Sequence, residues 1–154
     1  MKELQISGSL VLVDDEDYQR VLEYSDNWRV RNFKGYWYAE CKKATLMHRL
    51  IMNAPKGLYV DHINGNGLDN RKANLRLATN SQNAMNKKRP SHNTSGCKGV
   101  QFRGSKKNPW VVCIVINRKS KHIGCYPTKE LAAAAYEGAG KALFGKFFNK
   151  GIIQ

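Results

Sequence analysis

The chain has 154 residues, of which 42% are apolar and 10% aromatic, and its formal net charge is +14 at pH 7. This length fits one ordinary domain or two small ones, and the apolar content argues against wholesale disorder. No stretch approaches the roughly 18 apolar residues of a membrane-spanning helix. The first residues lack the basic segment and apolar block of a signal peptide, so we expect a cytoplasmic protein without membrane association.

The positive charge is unevenly distributed along the chain. Residues 1–90 contain 15 basic and 10 acidic residues, whereas residues 91–154 contain 11 and 2, so the second segment carries +9 of the +14. Such an excess indicates a polyanionic partner, either nucleic acid or an anionic membrane surface. A membrane-binding helix needs an apolar face opposite its charges, and the only long helical pattern carries few charges. Nucleic acid is therefore favoured, with a passive basic surface as the alternative.

The cysteines form no CxxC pair, and their spacing matches no zinc ribbon. We therefore expect no structural zinc and, without a secretory signal, no disulfides. All four are interpreted as structural residues: Cys41, Cys97, Cys113 and Cys125.

Taken in chain order, the first half of the sequence alternates short strands and helices. Residues 4–14 predict two strands around a Ser-Gly turn, and a helix begins at residues 14–17, where acidic residues suit a helix N-terminus. Two strands follow on either side of residues 32–35, and then a helix over residues 44–52. Further predictions are a strand over residues 58–64, a helix over residues 71–74 capped by Asp69 or Asn70, and a helix over residues 79–87.

Residues 87–96 are polar and contain Pro90 and Gly96, which is typical of a linker. We place the linker at residues 91–96, between a domain at residues 1–90 and a second at residues 97–154. The second domain predicts strands over residues 99–103, 110–117 and 121–126, then a helix over residues 129–143 capped by Thr128. The predicted fold class is α+β, and the second domain is a three-stranded antiparallel sheet covered by one helix.

The segment around Asp61 and His62 carries the clearest chemistry. Hydrolysis of a phosphodiester needs a base to activate water and a hard cation at the scissile phosphate. A carboxylate and an amide oxygen suit such a cation, and a neutral imidazole suits the base. Neighbouring residues point to opposite sides of an ideal strand, so a twist or bulge would be needed to aim both at one phosphate. Alone, the Asp-His pair marks only a candidate site.

The wider pattern resembles the HNH motif of ββα-metal endonucleases, in particular phage and intron-encoded homing endonucleases. The resemblance covers residues 44–87 and rests on several spacings at once. The matching positions are His48-Arg49-Leu50, residues 61–66, residues 69–71, Asn74-Leu75-Arg76, Ala78-Thr79 and Gln82-Asn83.

The resemblance implies a role for each motif residue. His62 is the general base, Asp61 and Asn83 are the protein ligands of the metal, and Asn74 orients His62 through backbone hydrogen bonds. The implied cofactor is Mg²⁺, with Mn²⁺ as an alternative. Two interpretations of His48 stay open: a phosphate contact that supports the active site, or a helix residue packed beside it. Several basic residues are candidates for phosphate contacts: Arg49, Arg71, Lys72 and Arg76.

In the second domain, strand alternation places Trp110, Val112, Ile114 and Ile116 on one face of the sheet. A single helix can cover only one face, so the other face stays open. The region over residues 97–150 resembles the plant ethylene-response-factor DNA-binding domain. The matches are Gly99-Val100, the Trp110 strand, residues 123–126 with Thr128, residues 132–136, and residues 144–149. The resemblance implies DNA contacts on the open face and its basic margin: Gln101, Arg103, Lys106, Lys107, Cys113, Val115, Arg118, Lys119 and His122.

Three of these positions, Cys113, Val115 and His122, depart from the plant family, so its target sequence does not transfer. The resulting hypothesis is a metal-dependent HNH endonuclease of the nicking or homing type, acting on double-stranded DNA. We expect a phage-encoded protein of the bacterial cytoplasm, as a monomer or weak homodimer. The alternatives are a catalytically inactive, sequence-specific DNA-binding regulator and an RNA-binding protein. The sheet lacks an aromatic pair set for base stacking, which disfavours the RNA-binding alternative.

Overall fold

A computed structural model describes residues 1–87, 93–104 and 107–149. The fold is mixed α+β, with several small antiparallel sheets and short helices. The chain divides into two compact units, Met1–Thr79 and Asn80–Gln154. No helix in the described ranges is long and apolar enough to cross a membrane.

The first unit consists of three two-stranded antiparallel sheets and two helices. The sheets pair β1 with β2, β3 with β4, and β5 with β6. A short 3₁₀ turn, Lys72–Asn74, precedes the last strand. The elements are β1 (Lys2–Ile6), β2 (Ser9–Val13), α1 (Asp15–Tyr24), β3 (Trp28–Phe33), β4 (Tyr36–Cys41), α2 (Met47–Ile51), β5 (Tyr59–His62) and β6 (Leu75–Ala78).

The core of the first unit is small and apolar. Val11, Val13, Val21 and Met47 are completely buried, and the cluster is completed by Ile6, Ala39, Ile51, Val60 and Leu75. Each large side chain in such a cluster contributes about 1.5–3 kcal/mol through the water-exposed area that it loses. Residues from β2, β4, β5 and β6 all reach this cluster, so it holds the β5–β6 hairpin against the rest of the unit.

Backbone hydrogen bonds also join β2 to the loop that follows β5. The amide of Leu12 donates to the Leu68 carbonyl at 2.9 Å, and the amide of Asn70 donates to the Leu12 carbonyl at 2.8 Å. The Asp14 carboxylate accepts from the Lys72 amide at 2.7 Å. The loop between β5 and β6 is therefore fixed from outside its own hairpin.

Two predictions for the first unit are corrected. The helix predicted over residues 44–52 is only Met47–Ile51, because Ala44 has a φ of 55° and Leu46 is extended and bridged to Glu40. No strand was predicted at Leu75–Ala78, yet these residues pair in regular antiparallel register with β5. The helix expected over residues 71–74 is the 3₁₀ turn at Lys72–Asn74.

The second unit contains a three-stranded antiparallel sheet and two helices. The strand order is β7-β8-β9, and α4 packs against all three strands. Thr128 caps α4 as predicted, since its hydroxyl accepts a hydrogen bond from the Leu131 amide at 3.3 Å. The elements are α3 (Asn80–Asn86), β7 (Val100–Phe102), β8 (Trp110–Ile116), β9 (Lys119–Tyr126) and α4 (Lys129–Phe144), followed by a 3₁₀ turn (Gly145–Phe147).

Helix α3 belongs to the second unit, although the predicted first domain extends to residue 90. It packs against α4 and the final 3₁₀ turn, and Met85 joins the core of Val112, Ile114 and Tyr136. Within the predicted linker, Ser95 is buried and donates to the Val100 carbonyl at 2.7 Å. The functional domain limits 1–90, 91–96 and 97–154 stay a prediction.

The ammonium group of Lys98 fastens α3 to the rest of the second unit. It donates to the carbonyls of Met85 and Lys87 at 2.7 Å each, and to that of Asn149 at 3.2 Å. The first two carbonyls lie at the C-terminal end of α3, where backbone acceptors lack helical partners. Burial lowers the pKa of Lys98 to about 8. A half-buried cation here satisfies acceptors that an apolar side chain would leave unpaired.

Two glycines on α4 predict opposite effects of the same substitution. A Cβ at Gly140 would lie 2.0 Å from the Phe148 ring, whereas a Cβ at Gly138 meets nothing within 4 Å. We expect Gly140→Ala to lower the free energy of unfolding by about 1–3 kcal/mol through overpacking. Gly138→Ala is expected to raise it by about 0.5–1 kcal/mol, because alanine favours helix. Urea unfolding measures both, and equal effects would contradict the packing of Phe148 on α4.

Candidate active site

The β5–β6 hairpin presents Asp61 and His62 at the end of β5. Asp61 lies opposite Arg76 and His62 opposite Leu75, in a ladder without irregularity over its four residue pairs. Alternation along the strand therefore sends the two side chains to opposite faces. Both are buried, with 5% and 6% of their surface exposed. No bulge interrupts the ladder at this pair.

The carboxylate of Asp61 forms a buried ion pair with Arg76. The Nε and one Nη of Arg76 each lie 2.7 Å from the same carboxylate oxygen, Oδ2. The side chains are only 5% and 10% exposed, so the pair is largely shielded from water. The charge of the predicted metal ligand is thus already balanced by a residue two positions after Asn74.

The imidazole of His62 lies in a small cage of rings. The ring of His48 stands edge-on to it with centroids 4.8 Å apart, and the ring of Tyr38 lies 5.9 Å away. Tyr38 also stands edge-on to His48, at 5.5 Å. The Nε2 of His62 lies 3.5 Å from the side-chain oxygen of Asn70. These contacts fix the position of the ring that the sequence predicts to be the base.

Burial controls the ionisation of both imidazoles. It lowers the pKa of His62 below the usual value, an effect opposed by the hydrogen bond to Asn70 and by the charges of Asp61 and Asp69. It lowers the pKa of His48 to about 3, and the neighbouring His62 and Arg49 act in the same direction. Both rings are therefore neutral at pH 7, the form in which an imidazole accepts a proton.

Two buried polar atoms beside His62 have no hydrogen-bond partner, the Nδ1 of His48 and the side-chain nitrogen of Asn70. Buried polar groups are normally satisfied, so each such atom needs an explanation. Both belong to residues that touch His62, which locates a gap in the hydrogen bonding of the first unit at the candidate site.

Asparagine and aspartate side chains organise the loop after β5. Asn74 accepts from the Asn64 amide at 3.0 Å and donates to the Asp69 carbonyl at 2.8 Å. Its own carbonyl accepts from the Ile63 amide at 2.9 Å. Asn64 in turn accepts from the Asn66 amide at 2.8 Å. Asn74 therefore bonds only backbone groups in these contacts and holds the loop that begins directly after His62.

Asp69 anchors the same loop through Arg71. The guanidinium donates from Nε and Nη2 to the two carboxylate oxygens at 2.7 Å each. This hydrogen bonding lowers the pKa of Asp69 below its ordinary 3.8. Asp69 is almost fully buried by surface area, with 2% exposed. The carboxylate thus stays ionised in the folded protein to lower pH than in the unfolded chain.

This shift predicts acid sensitivity. Because the pKa of Asp69 is lower in the folded state, its contribution to stability is complete above the unfolded pKa and disappears as the pH falls through the folded one. Asp69→Asn should therefore show a shallower loss of stability below about pH 4 than the wild type. Urea titrations at several pH values measure this, with the exposed Asp26→Asn as the matched control. Parallel curves for wild type and Asp69→Asn would contradict it.

The other predicted phosphate contacts of this domain are engaged within the first unit. Arg49 donates to the carbonyls of Leu58, Ala54 and Pro55, at 2.8, 3.1 and 3.1 Å. Lys72 pairs with Glu16 at 2.7 Å and Asp17 at 2.9 Å. Like Arg71 and Arg76, these residues therefore have structural partners.

Asn83, the second predicted metal ligand, lies on α3 in the second unit. Among the described residues, no group of three or more His, Cys, Asp or Glu side chains could hold a metal ion. The predicted ligand pair, Asp61 and Asn83, contains only one residue of these types, so this absence does not contradict it. Asp61 offers a carboxylate, the kind of oxygen donor that a hard divalent cation prefers.

In the second unit, the open sheet face is exposed as the alternation predicts. Val112 and Ile114 are buried against α4, whereas Val115 is 56% exposed. Exposed polar and basic residues lie on this face or at its margin: Gln101, Arg103, Lys107, Arg118 and His122. The predicted contact Lys119 pairs with Ile116, and Lys121 pairs with Ile114, so both are exposed on the other face of the sheet. Cys113 is half-buried. The predicted contact Lys106 lies outside the described residues.

An irregularity between β8 and β9 gathers three side chains on the open face. The register shifts at Val112/Cys113, so Gly124 pairs with Val112 while His122 pairs with Cys113. The ring of His122 then lies between two sulfurs, with Nδ1 4.0 Å from Cys113 and Nε2 3.8 Å from Cys125. All four cysteines are reduced, and Cys125 is exposed.

The sheet also carries an aromatic pair that the sequence analysis overlooked. Phe102 lies opposite Trp110 across β7 and β8, with ring centroids 5.0 Å apart. Phe102 is 60% exposed. Trp110 is on the same face as Val112 and Ile114, which α4 covers, so this pair lies away from the open face. The expectation that the sheet lacks an aromatic pair set for base stacking stays a prediction.

Sequence reasoning missed two neighbours of the candidate base and the role of a third residue. Tyr38 and Asn70 carried no motif signal that pointed to His62. Arg76 was one of four interchangeable basic candidates. The hairpin register would have singled it out, since a strand predicted at residues 75–78 puts Arg76 directly opposite Asp61.

Comparison with known proteins matches the segment that contains this site to a family. The model of the HNH endonuclease family matches residues 46–85. An uncharacterized HNH endonuclease of Acanthamoeba polyphaga mimivirus is 41% identical over 107 residues, which are 66% of this chain and 54% of that protein. Protein 3.8 of Escherichia phage T7 is 33% identical over 115 residues, which are 71% of this chain and 93% of that protein. No solved structure matches the chain.

The hairpin that presents Asp61 and His62, and the loop fixed by Asn74, lie wholly within the matched segment. The chain contains an HNH endonuclease family domain, residues 46–85. It spans about half the length of the mimivirus relative.

Proposed function

We propose that the chain is a metal-dependent endonuclease that hydrolyses a phosphodiester bond in double-stranded DNA. The observation that carries this proposal is the neutral, ring-caged imidazole of His62 on the hairpin of an HNH-family segment. In this role His62 removes a proton from the attacking water. A positioned general base of this kind accelerates a reaction by about a hundred- to ten-thousandfold.

Asp61 is proposed as a ligand of the divalent cation, with Mg²⁺ as the preferred metal and Mn²⁺ as a substitute. When bound, such a cation stabilises charge on the phosphate and on the departing oxygen. The Arg76 guanidinium on Oδ2 fixes the direction of the Asp61 carboxylate. The assignment of Asn83 as the second ligand stays a prediction.

The second unit is proposed to hold the duplex, through a domain that resembles ethylene-response-factor domains. Its open face combines exposed cations with side chains that can contact base edges, including Gln101 and His122. A sheet face can enter the major groove, where the base pairs differ in their donors and acceptors. The DNA contacts are proposed to be those predicted above, and they give the enzyme sequence preference.

If the second unit holds the duplex, removal of its exposed cations will change the salt dependence of DNA binding. Arg103→Gln and Arg118→Gln should each reduce the slope of log affinity against log salt by about one, because each removes a phosphate contact. Lys141→Gln is the matched control, since Lys141 is exposed on α4, the helix that covers the opposite face. Binding of a fluorescent duplex in EDTA gives the slopes. Equal slopes for all three variants would contradict the assigned surface.

The proposed activity is tested directly with supercoiled plasmid. We expect nicked circles in the presence of Mg²⁺ and none in EDTA. One active site per chain predicts nicking by a monomer, whereas a double-strand break requires a weak homodimer or two successive events. Absence of metal-dependent nicking by clean protein, on DNA that it binds, would exclude the proposal. A homing or nicking enzyme of a phage-infected bacterial cytoplasm is the proposed biological setting.

One observation favours the second candidate, a catalytically inactive DNA-binding regulator. Arg76 already occupies the Oδ2 of Asp61 with two hydrogen bonds, and a cation would have to share that carboxylate. The same plasmid assay separates the two functions, because a regulator binds in the presence and absence of Mg²⁺ and leaves the plasmid supercoiled.

A further inference from the structure

One face of the β3–β4 hairpin carries two exposed arginines bound to a single covered carboxylate. Arg29 and Arg31 lie 3.7 Å and 3.2 Å from the same oxygen of Glu40. The guanidinium side chains are 53% and 61% exposed, whereas that of Glu40 is 12% exposed. We call these three residues the arginine clamp. Two cations share one anion, so the clamp retains a net positive charge.

The arginine clamp lies on the same hairpin face as a residue of the candidate active site. Tyr38 pairs directly with Arg31 across the two strands, and Arg29 pairs with Glu40 two residues further along. Directly paired residues share a face, with Cβ atoms about 5 Å apart. Tyr38 is the residue whose ring packs against both His48 and His62. The exposed guanidinium groups of Arg29 and Arg31 therefore share a hairpin face with Tyr38, whose ring packs against His62.

The loop after β5 presses on the same hairpin. A Cβ at Gly67 would lie 2.2 Å from the Trp37 carbonyl and 2.6 Å from the Tyr38 ring. The absence of a side chain at Gly67 thus permits the loop to pack directly on β4. The loop that follows the candidate base and the β3–β4 hairpin are therefore in direct contact.

We propose that the arginine clamp binds phosphates of duplex DNA beside the scissile bond. Successive residues on one strand face lie about 7 Å apart, so the two arginines form a row of cations leading from Tyr38. An arginine bound to one carboxylate oxygen keeps further N–H donors for phosphate, and Glu40 limits the freedom of both guanidiniums before DNA arrives. This inference rests on the proposed nuclease function and adds to it a DNA contact within the catalytic unit.

The test compares the full-length chain with Arg29→Gln/Arg31→Gln. A short fluorescent duplex in EDTA gives the salt slope of binding, and supercoiled plasmid with Mg²⁺ gives the nicking rate. We expect the slope to fall by about two, one for each lost phosphate contact. Nicking at limiting protein should fall about ten- to a hundredfold, because the strand is positioned less well. Arg20→Gln/Lys141→Gln removes the same charge from α1 and α4, and should change both less.

Removal of both arginines leaves the covered Glu40 without cations, which could unfold the hairpin. The triple variant that adds Glu40→Gln avoids this and should show the same drop in slope. A slope equal to that of the control pair, in the double and the triple variant, would overturn the inference while wild-type nicking sustains the nuclease function. If the wild type binds but does not nick, the nuclease proposal fails, and the slopes still decide whether the clamp contacts DNA.

Discussion

Replacement of His62 by alanine will reduce Mg²⁺-dependent nicking by about a hundred- to ten-thousandfold, the range for loss of a general base. The ring is neutral, buried and held between His48 and Tyr38, so its removal takes away a proton acceptor fixed in one position. The measurement is the single-turnover nicking rate with enzyme in excess. Binding of duplex DNA in EDTA should stay within a few-fold of the wild type, because the proposed phosphate contacts come from other residues.

His92→Ala is the matched control, since it removes a histidine that has no assigned role. A His62→Ala variant that nicks at the wild-type rate would exclude His62 as the base. A variant that loses both binding and folded structure would instead identify His62 as a structural residue. Circular dichroism together with binding in EDTA distinguishes these results from a specific loss of chemistry.

Replacement of Arg76 by methionine will lower the free energy of unfolding of the first unit by about 3–5 kcal/mol. The reason is that Asp61 and Arg76 form a buried pair, and removal of one partner leaves the other charge unbalanced away from water. Adding Asp61→Asn removes that unbalanced charge, and a buried ion pair replaced on both sides is often nearly neutral in stability. The double variant should therefore recover most of the lost stability.

Activity separates the two roles of the pair. Nicking should remain absent in Asp61→Asn/Arg76→Met despite its recovered stability, because the proposed metal-binding carboxylate is gone. Urea unfolding followed by the fluorescence of Trp28 and Trp37 reports on the first unit, and the exposed Arg20→Met is the matched control, expected within about 0.5 kcal/mol of the wild type. A double variant as unstable as Arg76→Met alone would show that Arg76 stabilises the hairpin by contacts other than Asp61.

Local sequence patterns predicted the elements whose boundaries are set locally. The strands around Ser7-Gly8 and around Lys34-Gly35 were found because each pair is joined by a tight turn with positive φ. The alternation in β8 correctly separated the buried Val112 and Ile114 from the exposed Val115. In each case the signal lies within a few residues of the element.

The features that sequence reasoning missed depend on partners far along the chain. Leu75–Ala78 is only four residues long and is a strand because β5 lies beside it. Tyr38 reaches His62 because its hairpin folds over β5, which no spacing in the motif records. Cys125 lies on the open face near Cys113 because the register between β8 and β9 shifts at Val112/Cys113. Regular alternation along the two strands does not predict this shift.

Candidate chemistry was predicted better than its setting. Asp61, His62 and Asn74 come together on one hairpin and its loop, and Asn74 bonds the backbone groups of that loop. The identity of the partner on Asp61 required the hairpin register, and the two unpartnered atoms on His48 and Asn70 required side-chain packing. These are tertiary facts, so a motif of fixed spacing could not contain them.

Backbone hydrogen bonds that join Leu12 to Leu68 and Asn70 show that the loop of the catalytic motif depends on a strand outside the motif. The family match begins at residue 46, yet the strand that fixes the loop and the ring that walls the imidazole both come from earlier in the chain. A transplant of residues 46–85 into another protein would carry every residue of the motif. It would carry neither Leu12 nor Tyr38, and it would leave α3 without the rest of the second unit. Recombination that preserves function in this chain must therefore exchange the strands at its beginning together with the motif.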